Sequence, residues 1–171
     1  MRFRVLTFAA IITCVLLPAM LSPAAAQSVR PANVETVLDD SFHSMYNLQF
    51  DEALRSVEYA KTLDKSDPLP WVAQVCAVLF REFDRLHIMR SEIFASDDAF
   101  NSRPAYSWIS ANKAQFEQAA AGGEKIARER LARDKNDVKA LFALSVITGM
   151  RGDASAMITK HNLDALGYWV G

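Results

Sequence analysis

The sequence predicts an all-α protein built from antiparallel helical hairpins. Apolar residues recur at three- and four-residue spacing along nearly the whole chain after residue 26, which is typical of amphipathic helices. The segments between these helices are short and polar, so consecutive helices are expected to lie antiparallel. A pattern of Asp, Lys, a small polar residue and Asp also occurs twice, at 64–67 and 134–137. We therefore predict about three hairpins, near residues 33–64, 68–133 and 137–169.

The first 26 residues have the pattern of a secretory signal peptide. Two arginines precede an apolar run, 5–17, and Ala24 and Ala26 supply the small side chains of a cleavage site. The run meets Pro18 before the roughly 20 apolar residues that a membrane-spanning helix needs. We expect an exported protein, periplasmic or secreted, with a mature domain at 27–171 and no stable membrane anchor. An uncleaved anchor is the alternative.

Charge and cysteine content narrow the class of function. Without the two leader arginines, 17 basic residues face 20 acidic ones, so no basic face for nucleic acid is implied. Cys14 is expected to leave with the signal peptide. Cys76, the cysteine that remains, has no internal disulfide partner, and its apolar run "WVAQVCAVLF" predicts a buried thiol.

The first hairpin joins two amphipathic segments. The apolar stripe of the first helix contains Val34, Val37, Leu38, Ser41, Phe42 and Met45. Asp51 is expected to cap the second helix. That helix carries Ala53, Leu54, Val57, Ala60 and Leu63 on one side.

The joint after this hairpin recurs 70 residues later. In the first copy residues 65–66 form the turn, Asp67 caps the next helix, and Pro68 fits the first turn because no N–H is needed there. In the second copy residues 134–136 form the turn and Asp137 caps. The two joints are therefore expected to occupy equivalent places in two hairpins.

The middle and the last hairpin are less regular. Polar residues and Pro104 predict an insertion near 96–105, followed by a long helix over about 105–132 that is loosened at Gly122-Gly123. The segment 149–153 ("GMRGD") is expected to break the next helix, and Asp153 to cap a final one. The apolar face of that final helix contains Ala154, Ile158, Ala165, Leu166 and Trp169.

Two stretches carry a resemblance to a known family, "YNLQFDEALRSVEYAKTLDKSDPLPW" and "LARDKNDVKALFALSVITGMRGD". They resemble the helix ends and turns of the tetratricopeptide repeat, whose period of roughly 34 residues fits twice into the separation of the joints. Lys65 and Lys135 stand where the family most often has proline, and Val75 is large where it usually has a small residue. The chain is thus identified as a divergent tetratricopeptide-like array, with a generic helical bundle as the alternative.

The resemblance implies a concave surface, built from the first helix of each repeat, that holds a peptide or partner protein. The positions that match this surface are Leu38, Phe42, Met45, Val72, Cys76, Leu79, Phe142 and Val146. They are apolar, so an apolar or amphipathic helical partner is expected. The alternative is that these residues pack inside the core.

The apolar residues suggest two further sites, a ligand pocket and an edge for self-association. A pocket for a small apolar or lipid-like ligand is the second functional hypothesis, lined by Phe42, Met45, Trp71, Cys76, Leu79 and Phe142. The C-terminal edge has large apolar residues where a repeat array normally has a polar cap. Self-association, or continuation into a longer array, is expected there through Leu166, Trp169 and Val170.

Residues that serve catalysis form no motif in this sequence. His43, His87 and His161 are not spaced with other ligands as in known metal motifs, and no phosphate-binding or nucleophile motif occurs. We expect a non-enzymatic scaffold with no cofactor and no metal, which binds protein rather than nucleic acid.

Overall fold

A computed structural model describes residues 32–160, and within that range the protein is helical without strands. The helices are α1 (Val34–Tyr46), α2 (Phe50–Leu63), α3 (Leu69–Arg85), α4 (Asp97–Ser102), α5 (Ser110–Arg133) and α6 (Val138–Ala154). A 3-10 turn, Ser91–Phe94, precedes α4, and a π turn, Ser155–Thr159, extends α6. The prediction of an all-α fold is confirmed. The predicted signal peptide, His161 and the edge residues Leu166, Trp169 and Val170 lie outside the described residues.

The hairpin of α1 and α2 closes through a tight turn. Asn33 caps α1 by accepting a hydrogen bond from Thr36 N at 2.8 Å. At the other end, Gln49 N donates to Ser44 O at 2.9 Å and turns the chain directly into α2. The predicted capping role of Asp51 is wrong, because α2 begins at Phe50 and Asp51 lies within its first turn. There its carboxylate still faces the positive end of the helix dipole.

The two Asp-bounded turns have the same backbone. Asp64 ends α2 with φ −145° and ψ 105°, and Asp134 ends α5 with φ −140° and ψ 107°. Each aspartate accepts a hydrogen bond from the backbone N–H two residues later, at 2.8 Å and 2.9 Å. Asp137 is the N-cap of α6 and accepts from Ala140 N, whereas Asp67 lies one residue before Pro68, the N-cap of α3, and accepts from Leu69 N. The two joints are thus similar in structure, but the capping predicted for Asp67 is offset by one residue.

The two turns also lie side by side. Lys139 Nζ, in the first turn of α6, is 2.8 Å from Asp67 Oδ2. Arg130 on α5 donates to Asp137 at 2.8 Å and to the carbonyl of Ser66 at 3.3 Å. These contacts connect the start of α3 with the start of α6.

Helix packing follows the order of the chain, with α3 at the centre. α1 packs on α2 and α3, α3 packs also on α2, α5 and α6, and α5 packs on α6. Alanines bring the helices close together, and larger side chains fill the space between them. The fully buried core includes Ala53, Val57, Ala60, Val75, Leu79, Phe116, Ala120 and Ile147.

The connection from α3 to α5 covers 86–109, so it begins earlier than the insertion predicted near 96–105. Glu82 on α3 fixes the point where this connection ends and α5 begins. It accepts hydrogen bonds from Ile109 N at 2.9 Å and Asn112 Nδ2 at 2.7 Å. Another part of this connection, which includes Arg103 and Tyr106, contacts the π turn that follows α6. There Arg103 donates to Ala156 O at 2.7 Å and Tyr106 N to Ile158 O at 2.6 Å.

The predicted break at 149–153 is wrong, because α6 continues through it to Ala154. Each glycine costs about 1 kcal/mol in a helix interior, but this turn is fixed against α5. Arg151 forms ion pairs with Glu117 and Glu124, and Gly152 is buried. Asp153 therefore lies inside a helix and caps none.

The double glycine of α5 does not loosen that helix. A Cβ atom at Gly122 would lie 2.5 Å from Trp71 Cε3, and one at Gly123 would lie 2.7 Å from Ile147 Cδ1. Both distances are far below van der Waals contact. The glycines therefore let α5 approach α3 and α6 closely.

Candidate functional site

An open apolar groove of about 580 Å³ lies at the C-terminal ends of α1 and α3. Residues from both helix ends and from the turns that follow them form its walls. They are Phe42, Met45, Tyr46, Leu48, Phe50, Phe80, Asp84, His87, Met89 and Arg90.

The two helices reach the groove through the same C-terminal turn. Gln49 N donates to Ser44 O at 2.9 Å after α1, and Ile88 N donates to Phe83 O at 3.0 Å after α3. This bond requires a left-handed residue just before the donor, here Leu48 with φ 58° and His87 with φ 56°. Glycine normally occupies that place, and a bulkier residue costs about 1–3 kcal/mol in such a conformation. Both strained residues line the groove.

The groove exposes large apolar side chains to solvent. Tyr46 is 92% exposed, Met89 63% and Leu48 61%. Met45 and Phe50 form a buried floor beneath them. A contiguous apolar patch of this kind marks an interaction site more often than scattered surface residues do.

The rim of the groove is charged with both signs. Asp84 and His87 stand at the end of α3, and Arg90 follows in the connection to α5. Polar groups around an apolar groove orient a ligand, whereas the apolar surface supplies most of the binding free energy. The groove thus suits a ligand that is apolar on one face and polar at its edges.

The residues predicted for a concave surface divide into three groups. Phe42 and Met45 line the groove. Phe142 is exposed and Val146 half-buried on α6, where neither belongs to the groove. The rest, Leu38, Val72, Cys76 and Leu79, are buried in the core. A partner does not reach these four, because neighbouring helices cover them.

The alternative closed pocket does not form from the residues predicted for it. Of those residues, Phe42 and Met45 line the groove. Trp71 instead packs against Gly122 of α5, Leu79 is fully buried, and Phe142 is exposed on α6. Burial raises the pKa of the Cys76 thiol to about 12, so that thiol stays protonated at neutral pH.

Sequence reasoning missed Tyr46, Leu48, Phe80 and Met89 as groove residues. Periodicity gives a signal for two of them, since Tyr46 and Phe80 lie four residues after Phe42 and Cys76 on the same helix faces. Leu48 and Met89 lie in turns, where helical periodicity does not predict which way a side chain faces. Their placement depends on left-handed turns that lack the usual glycine.

Metal binding and membrane insertion are two other kinds of interaction to which the described residues are relevant. Among residues 32–160 no three His, Cys, Asp or Glu side chains are grouped so that they hold a metal ion. The helix Val138–Thr159, 22 residues of α6 and its π turn, is long and apolar enough to cross a bilayer. One such helix is weak evidence for a membrane span, and this helix also packs on α3 and α5.

Comparison with known proteins gives no relative of this chain: no family model, curated protein or solved structure matches it.

Proposed function

We propose that this chain is a non-enzymatic, exported binding protein of the tetratricopeptide-like class, which holds an apolar segment of a partner protein in the groove at the ends of α1 and α3. The observation that carries the proposal is the exposure of Tyr46, Leu48 and Met89 beside one another. Covering such side chains contributes about 25 cal/mol for each Å² removed from water. Export is inferred from the charged, apolar and small-residue order of the leader.

The repeat arrangement is supported by two independent features. The turns at 64–67 and 134–137 share backbone geometry and the hydrogen bond to their first aspartate, although 70 residues separate them. The long helices α1, α2, α3, α5 and α6 also each pack on the long helix before or after them, which is typical of stacked helical hairpins.

The openness of the groove favours a peptide over a small molecule. Pockets for small ligands usually enclose 70–90% of the ligand surface. Here Tyr46 is 92% exposed before anything binds, so a compact ligand would remain largely in water. An amphipathic helix or extended segment can cover the apolar wall and place its own charges against Asp84 and Arg90.

Site-specific photo-cross-linking in cells tests the peptide proposal. The full chain carries a photoreactive phenylalanine analogue at Tyr46, and the matched control carries it at Tyr59, which is 50% exposed on α2 outside the groove. We expect a protein adduct at Tyr46 at least ten times stronger than at Tyr59, with apolar residues in the cross-linked peptide. Leu48→Glu should abolish the adduct, because it places a charge in the apolar wall.

Equal adducts at the two positions, or an adduct that Leu48→Glu leaves unchanged, would contradict the proposal. Circular dichroism of each variant shows whether the helices are retained.

The volume of the groove supports a second candidate, a small apolar or lipid-like ligand. About 580 Å³ lies within the usual range of roughly 300–1,000 Å³ for small-molecule sites. Native mass spectrometry of the full chain distinguishes the two. A bound lipid that Phe80→Glu removes favours this candidate, and an unliganded mass favours the peptide.

A further inference from the structure

The outer flank of α6 exposes a stripe of apolar residues that the groove does not use. Val138 is 77% exposed, Phe142 56% and Leu141 46%. Ser145 is also exposed and Gly149 half-buried on the same side. Positions 138, 142, 145 and 149 fall on one helix face by their spacing. Within the helix Val138–Thr159, 28% of the most apolar 18-residue window is buried.

The corresponding face of α3 shows how a neighbouring helix can cover a flank of this kind. The equivalent turns align Asp67 with Asp137, so Trp71, Val72 and Val75 on α3 correspond to Leu141, Phe142 and Ser145 on α6. On α3 these positions are buried or half-buried, and Trp71 rests on the glycines of α5. Within residues 32–160 no helix covers α6 in the way that α5 covers α3. The flank therefore has the form of a helix-docking surface.

We propose that a second copy of this chain docks on the flank, with α6 packed antiparallel to α6 about a two-fold axis. The flank carries its large residues, Val138 and Phe142, in its N-terminal half and its small ones, Ser145 and Gly149, in its C-terminal half. An antiparallel two-fold pairing places Phe142 beside Ser145 of the second copy, and Val138 beside Gly149 of the second copy. Val138 and Phe142 thus each meet a small residue, as Trp71 meets Gly122 within the chain, while Leu141 faces Val146 of the second copy.

Charge excludes a head-to-tail arrangement between α6 and α1. The exposed residues of α1 outside the groove are Glu35, Asp39, Asp40 and His43. Pressing the apolar α6 flank against this acidic surface would desolvate carboxylates without pairing them. The flank is complementary to itself and not to α1, so a closed dimer forms instead of a filament.

The size of the flank sets the expected strength of the dimer. A helix of 17 residues is about 25 Å long and about 10 Å wide. One such flank covers about 250 Å², roughly a third of the 800 Å² or so that each partner contributes to a standard interface. The dimer is therefore expected to be weak and transient, with a dissociation constant in the micromolar range or above.

Cysteine cross-linking of the full chain in intact cells tests the dimer. Ser145→Cys brings two thiols near the two-fold axis, and a short, membrane-permeable bis-maleimide joins them. We expect a band at twice the mass of the single chain, at least ten-fold above that of the unmodified chain. Phe142→Glu in the same background should reduce the band at least ten-fold, because each dimer then buries two carboxylates.

The matched controls use the exposed aromatic Tyr59 on α2. Tyr59→Cys should give no dimer band, and Tyr59→Glu should leave the band of Ser145→Cys unchanged. The absence of that band, its persistence with Phe142→Glu, or an adduct of another mass would each overturn the proposal. Protection of the Ser145→Cys thiol from a monofunctional maleimide without dimers would instead indicate that the chain covers its own flank.

Discussion

At the scale of single residues, Glu82 determines where the chain begins α5 after the connection that follows α3. Its side chain is fully buried on α3, and its oxygens accept from Arg85, Asn112 and the backbone of Ile109. Burial opposes ionisation, but these hydrogen bonds outweigh it and hold the pKa of Glu82 below its usual value. Ile109 precedes α5 and offers that helix no side-chain cap. A carboxylate from another helix thus takes the place of a local cap.

We predict that Glu82→Gln destabilises the protein by about 2 kcal/mol at pH 7, because hydrogen bonds to a charged group are lost. Because the pKa of Glu82 is lower in the folded than in the unfolded state, its ionised form stabilises the fold at pH values above the unfolded pKa of about 4.3. This stabilisation is lost as the pH falls through the lower pKa of the folded state. The difference between the two proteins should therefore shrink at acidic pH. Urea unfolding measured between pH 3 and pH 7 tests this.

The control is Glu129→Gln, at an exposed position of α5, which should change the stability by less than about 0.5 kcal/mol at any pH. A pH-independent loss in Glu82→Gln would mean that packing of Glu82, and not its charge, supports the start of α5.

At the scale of helices, the sequence indicated the starts better than the interruptions. Helix starts depend on local capping, so the start of α6 at Asp137 was predicted correctly, and the starts of α2 and α3 fell within one residue of the predicted Asp51 and Pro68. The continuation of α6 through Gly149 and Gly152 depends on distant partners, because Arg151 pairs with two glutamates of α5. Glycines that local rules interpret as breaks are here tolerated within a packed helix.

The double glycine of α5 allows a test of whether local helix propensity or packing against other helices decides the effect of a glycine. By helix propensity alone, Gly122→Ala would stabilise the protein by about 1 kcal/mol. The added Cβ would lie 2.5 Å from Trp71 Cζ3, and overpacking of this kind costs about 1–3 kcal/mol. We predict a net loss of up to about 2 kcal/mol, measured by thermal or urea unfolding.

Two further variants isolate the contact with Trp71. In a Trp71→Leu background the same Gly122→Ala change should become stabilising, since the ring that it meets is gone. Ala121→Gly, at the exposed neighbouring position, measures propensity alone and should cost about 1 kcal/mol. If Gly122→Ala stabilises the protein with Trp71 in place, the close approach of α5 and α3 is not what the glycine serves.

At the scale of the whole molecule, the candidate site was predicted only in part. Phe42 and Met45 were identified from the stripe of the first helix, and both line the groove. Leu79 and Cys76 belong to the same kind of stripe on α3 but are buried. Periodicity identifies an apolar face without indicating whether a neighbouring helix covers it. Since α3 is surrounded by four helices, its stripe forms core, whereas the end of α1 stays open.

The turns at 64–67 and 134–137 contact each other, and the ion pair of Asp67 and Lys139 connects the start of α3 with the start of α6. Asp67 is 2% exposed, and its two carboxylate oxygens bond Leu69 N and Lys139 Nζ. Removing the lysine leaves a buried charge without its counter-ion, which costs more than an exposed ion pair contributes. Because Lys139 is itself partly exposed, we predict that Lys139→Met destabilises the protein by about 2 kcal/mol. A double-mutant cycle with Asp67→Asn should give a coupling free energy of about 1–2 kcal/mol.

The matched control for this cycle is Lys135→Met. Lys135 lies in the second turn, is exposed, and forms no ion pair within residues 32–160, so its loss should change the stability by less than about 0.5 kcal/mol. Urea unfolding of the four proteins of the cycle provides the measurement. Additive effects of Lys139→Met and Asp67→Asn would mean that each residue stabilises only its own helix start. A measured coupling would mean that the start of α3 and the start of α6 support each other, because the ion pair of Asp67 and Lys139 joins these two helix starts.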